Sequence, residues 1–115
     1  MTRQKLEDYY YLKEEIEHLK SRLSSVKEEI EQTNNPSPDL MDIYQVLLKS
    51  LNRAITEFKE VGEYIAGIEN DRIRQLFFLR YVEGMSWKQV AATSGGKCTA
   101  ANVRRTCTRY MSKNK

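Results

Sequence analysis

The sequence predicts an all-α protein: a long N-terminal antiparallel helical hairpin or coiled coil, residues 1–69, followed by a small C-terminal helix-turn-helix module, residues 70–115. Three observations carry that expectation. Apolar residues recur at heptad spacing through two long stretches separated by Asn34-Asn35-Pro36-Ser37-Pro38-Asp39. Between Arg80 and Tyr110 the chain is cut by Gly84 and by Ser94-Gly95-Gly96-Lys97 into short segments with good helix caps. Charge is also divided: residues 1–69 carry 9 Lys/Arg against 14 Asp/Glu, and residues 70–115 carry 10 against 2, so a −5 segment precedes a +8 segment in a chain of net +3.

The first helix is expected over residues 5–33. With Tyr9 at heptad position a, Tyr9, Ile16, Leu23 and Ile30 fall at a and Leu12, Leu19 and Val26 at d, with Glu, Lys, Ser and Arg filling most positions between. His18, the single histidine, falls on the outer face and receives no role. Pro36 cannot continue a helix. Ser37 then suits an N-cap and Pro38 the first helical position, where its missing N–H costs nothing. Asp39 and Asp42 sit near the positive end of the new helix dipole.

The second helix, about 38–69, places Tyr44, Leu51, Phe58 and Ile65 at a and Leu40, Leu47, Ala54, Val61 and Ile68 at d. Leu48 and Ile55 widen its stripe. Each long helix reaches about 45 Å at 1.5 Å per residue, and the short connection folds one back on the other. Two helices alone bury little, so the stripe implies oligomerisation through residues 5–69, a dimer being the simplest form.

Asn70 caps a third helix, 71–83, whose density of large apolar groups (Ile73, Leu76, Phe77, Leu79, Tyr81, Val82) marks it as the core of the C-terminal module. Trp87 and the Phe77-Phe78 pair read as packing residues rather than base-stacking ones. Gly84 ends that helix, and Ser86 with Gln89 forms a capping box for the next, whose apolar side is Val90 and Ala91. Thr99 caps the last helix. Its apolar face runs Val103, Cys107, Tyr110 and Met111, and Arg104, Arg105 and Arg109 fall off that face.

Little supports catalysis, and no enzyme activity, metal or cofactor is expected. The glutamates lie on solvated helix faces, no base is placed to activate a serine, and Cys98 and Cys107 have no partners at metal spacing, as suits reduced thiols in a cytosolic protein. Gly95-Gly96-Lys97 lacks the preceding strand and directly following Ser/Thr of a phosphate-binding loop. No apolar run approaches the roughly 20 residues of a membrane span, and the N-terminus lacks the apolar core of a secretion signal.

A basic helix-turn-helix on an acidic stalk is the footprint of a double-stranded DNA reader. The first turns of the last helix would point Thr99, Ala100, Ala101, Asn102, Arg104 and Arg105 toward a major groove, with Thr108 following on the same helix. Arginine pairs bidentately with guanine, asparagine with adenine, and an alanine methyl meets a thymine methyl. Lys88, Lys97, Arg109 and Lys113 suit phosphates.

From Arg74 to Tyr110 the sequence resembles region 4 of bacterial sigma factors. The resemblance rests on Leu79-Arg80-Tyr81, Glu83-Gly84, Ser86, Val90-Ala91, Gly95, Thr99 and Val103-Arg104. With the N-terminal coiled coil and Ser86-Trp87-Lys88-Gln89-Val90-Ala91, the chain is similar to small sigma-like regulators of phages and prophages, a group that includes late-gene activators. The resemblance implies binding to a promoter-like duplex in the cytoplasm of a bacterial host, with contact to RNA polymerase as a further possibility. By position, the readers become Ala100, Ala101, Arg104 and Arg105. Two departures stand out: alanines occupy positions where the family carries polar readers, and the turn is two residues longer than the compact motif. Two alternatives remain open, an adaptor or inhibitor that occupies a protein surface such as polymerase, and a terminase-like DNA-packaging subunit.

Overall fold

The computed structural model describes residues 1–95 and 97–114; Gly96 and Lys115, which entered the turn and charge readings above, lie outside the described residues. The chain is all-helical, with no strand among the described residues. Its elements are α1 (Arg3–Gln32), α2 (Pro38–Ala66), α3 (Asp71–Phe77), running directly into a π-helical turn (Phe78–Val82), α4 (Trp87–Thr93) and α5 (Ala100–Lys113). Among the described residues no helix is long and apolar enough to cross a membrane.

α1 and α2 pack against each other as an antiparallel pair. Their bounds follow local chemistry. The Ser37 hydroxyl accepts from the Leu40 N–H at 3.2 Å, Pro38 opens α2, and Asp39 lies in the first turn. α2 ends at Ala66, three residues short of the expected stop. Gly67 then donates to the Glu63 carbonyl at 2.9 Å and Ile68 to Ile65 at 3.2 Å, closing the helix with orphan carbonyls satisfied.

Packing divides the chain into two compact units, Tyr11–Lys59 and Met1–Tyr10 with Glu60–Lys115. In the first, Leu12 and Ile16 of α1 meet Leu51 and Ala54 of α2, with Leu19, Leu23, Ile55 and Phe58 half-buried around them. These are the expected a and d positions plus Ile55. Farther toward the turn only Val26 is buried, while Met41, Ile43 and Val46 are exposed.

The second unit holds the larger core. Leu6 from α1 and Val61, Ile65 and Ile68 from α2 and its end join Leu76, Phe77, Tyr81, Val90, Ala91, Val103 and Cys107. Leu6, fully buried, lies outside the heptad register assigned above, because at this end α1 meets more than one neighbour and needs a broader apolar face. At its centre the Phe77 ring sits 5.5 Å from Tyr81 and 5.6 Å from Tyr110, edge-on to the latter. Such tilted contacts suit aromatic quadrupoles. Phe78, the neighbour of Phe77, instead turns outward and is 45% exposed.

Candidate nucleic-acid interface

Three caps fix the C-terminal helices. Asn70 Oδ1 accepts from the Ile73 N–H at 3.0 Å and starts α3. The π-helical turn brings the Glu83 N–H to the Phe78 carbonyl at 3.0 Å, and Gly84 then takes φ +74°, where only glycine sits without strain. A Cβ at Gly84 would lie 2.5 Å from the Tyr10 ring, so the turn is glycine's for steric reasons also. Ser86 and Gln89 form the expected capping box, with the Gln89 N–H reaching Ser86 Oγ at 3.2 Å and the Ser86 N–H reaching Gln89 Oε1 at 2.9 Å. Gly95 turns the chain at φ +112°, and Thr99 Oγ1 accepts from the Asn102 N–H at 3.1 Å to open α5.

α5 is held by its inner face. Val103 and Cys107 are fully buried and Tyr110 and Met111 half-buried against the core. The helical period then sends the positions between them outward: Ala101, Asn102, Arg104, Arg105, Thr108 and Arg109 are all exposed. Ala101, Arg104, Arg105, Thr108 and Arg109 share a shallow concavity of about 490 Å³, joined by Lys113 near the helix end. Other residues singled out by the sequence lie apart from it. Lys88 is exposed on α4 and Lys97 in the α4–α5 connection. Thr99 is committed to its cap, and Ala100 is half-buried at the start of α5.

Sequence reasoning missed Arg3. It belongs to the acidic N-terminal segment, far along the chain from the basic C-terminal one, yet it lines the α5 concavity, and its Nη2 donates to Thr108 Oγ1 at 3.3 Å. The usable signal was Leu6, three residues on and so on the same helix face, had its burial been foreseen. Arg80 was also missed as a surface feature. Its guanidinium carbon lies 4.8 Å from the Trp87 ring centroid, its Nη1 donates to the Met85 carbonyl at 2.9 Å and its Nη2 to Glu7 Oε2 at 3.4 Å. Arg3, Glu7, Arg80, Trp87 and Arg104 together line a smaller depression of about 260 Å³.

The interior side is chemically quiet. Burial pushes the Cys107 thiol up to about 12, and burial, reinforced by Glu7 and Cys107 and opposed by Arg80 and Arg3, raises the Tyr81 phenol to about 12. Both groups are therefore neutral at physiological pH. Elsewhere in the unit, Leu76, Phe78, Leu79 and Val82 line an apolar groove of about 690 Å³ with Arg72 and Arg74 at its edge. Comparison with protein-family models, with curated proteins and with solved structures found no match to this chain.

Proposed function

We propose that this chain is a sequence-specific DNA-binding transcriptional regulator, sigma region 4-like and of the phage-encoded kind, which lays α5 in the major groove of a promoter-like duplex. The observation that carries the reading is the division of α5. Val103 and Cys107 anchor one side, and the other offers Ala101, Asn102, Arg104, Arg105, Thr108 and Arg109 to solvent in a cationic strip. A buried apolar seam fixes the orientation of a helix, and a polar outer face of this composition can pair with base edges. The chain works as a dimer through α1 and α2. Support for that comes from the exposed Met41, Ile43 and Val46 and the half-buried Tyr44, Leu47 and Leu48, apolar surface on α2 that a second copy would cover. Two copies bring two recognition helices to two half-sites.

Selection of bound duplexes from random sequence, followed by mobility shift at low salt, tests this reading. The expected result is an enriched paired motif, lost in the Arg104→Ala/Arg105→Ala variant. Absence of any retardation by the intact, folded chain refutes it.

The apolar groove supports a second reading, an adaptor that grips a protein surface such as polymerase. Phe78 is exposed there, and arginines rim the groove. Under that reading polymerase pull-down survives Arg104→Ala/Arg105→Ala and is lost in Phe78→Ser.

A further inference from the structure

Resting on the DNA-binding reading, we infer that Arg3, Arg80 and Arg104 form a seat for one backbone phosphate of duplex DNA, which makes the first turn of α1 part of the DNA-contacting surface. Three guanidinium groups from α1, the π-helical turn and α5 line the same depression of about 260 Å³. One carboxylate, Glu7, faces them, leaving a net +2 in a small concavity. Gathering like charges is unfavourable in itself and becomes favourable when an anion enters between them.

Arg80 is already oriented for such a role. Its two Nη groups are held by the Met85 carbonyl and Glu7, and its plane is supported on Trp87. The Nε–H is buried, with no hydrogen-bond partner among the described residues. Each Nη carries a second N–H beyond the bond it already makes, and a planar guanidinium suits phosphate oxygens better than an ammonium would. Arg104 and Arg3 are both exposed, Arg3 with its Nη2 on Thr108 Oγ1, so an anion reaches both from the solvent side.

The size of the depression argues in the same direction. It falls below the 300–1,000 Å³ or so of pockets that enclose whole small molecules, and has room for a single phosphate group. Continuity selects duplex DNA as the source of that group. Arg3 and Arg104 border both this depression and the cationic strip along α5. A phosphate in the seat therefore belongs to a strand flanking the groove that α5 enters. Trp87 opens α4 and the Arg80 guanidinium of the π-helical turn lies against its ring, and the helix preceding a recognition helix is the one that crosses the backbone.

The test has two arms on the full-length chain. In the first, inorganic phosphate is titrated against ¹⁵N-labelled protein at constant ionic strength held with chloride, observing the arginine Nε–Hε resonances. Arg80 is expected to shift and saturate, and the shift is expected to weaken in Arg3→Gln. In the second, the affinity of a duplex is measured from low to moderate salt for the intact chain and Arg3→Gln. Each lost phosphate contact lowers the slope of log K against log salt by about 0.9, so the variant is expected to lose about that much, equally for matched and scrambled duplexes. Arg3 is exposed at the first position of α1, and an unchanged thermal unfolding curve confirms that Arg3→Gln is folded. DNA binding with an unmoved Arg80 resonance and an unaltered slope rejects the seat and leaves the DNA reading intact. Saturable phosphate binding by a chain that retards no duplex rejects DNA as the ligand, together with the function proposed above.

Discussion

Leu6→Ala probes whether the first turns of α1 belong to the same cooperative core as α5. Leu6 is fully buried and clusters with Val61, Ile65, Leu76 and Phe77, so truncation removes a whole core side chain and leaves a cavity. Leucine-to-alanine changes at such sites cost about 2.7–5.0 kcal/mol, and about 3 kcal/mol is a fair expectation here. With a urea dependence of about 2 kcal/mol/M for a chain of this size, the midpoint should fall by about 1.5 M. Trp87 reports the change selectively. It is the single tryptophan, and its ring stands edge-on to Tyr81, 6.1 Å between centroids, within the C-terminal helices. Urea unfolding followed by Trp87 fluorescence is therefore the assay. Leu19→Ala, at a half-buried seam position, should shift the midpoint less. A Leu6→Ala midpoint within about 0.3 M of the parent, well below what the cavity predicts, refutes the reasoning.

Gly84→Ala should destabilise by more than the 1–2 kcal/mol or so of left-handed backbone strain alone, because its Cβ also meets the Tyr10 ring; adding Tyr10→Ala should return only the steric part, measured by thermal or urea unfolding. Thr99→Ala, which removes the acceptor of the Asn102 N–H, should cost about 1 kcal/mol, with amide exchange increased first in the opening turn of α5. Cys98 should react with a thiol reagent in the native state, whereas Cys107, buried and with its pKa pushed up to about 12, should react only on unfolding. Alkaline pH should destabilise the fold through Cys107 and Tyr81. Both are raised in the fold, so their contribution is intact below the ordinary thiol value of 9.0 and falls as pH climbs toward about 12; Cys107→Ala should remove the earlier part of that loss.

Much of the helical architecture was written locally. Heptad spacing put Leu12, Ile16, Leu51 and Ala54 in a seam, and Pro38, Asn70, Ser86, Gly84 and Thr99 each mark a boundary through chemistry that reaches only a few residues. The outward placement of Arg104, Arg105 and Arg109 followed from the same period, because Val103 and Cys107 fix what faces in.

Other features depend on residues far apart in the chain, and no local pattern encodes them. The π-helical turn that replaces the end of the expected third helix is one such feature, and the opposite fates of Phe77 and Phe78 are another. Leu6 is buried because α2 and the C-terminal helices converge on it, although its heptad position alone places it at the edge of the seam. For the same reason Arg3, in an acidic stretch, stands beside Thr108 and Arg104. Periodicity and capping act over one or two helical turns, so the sequence by itself determined helices, caps and the faces of α5. Which distant side chains share a surface is decided by packing that minimises exposed apolar area across the whole unit, and that only the tertiary structure could decide.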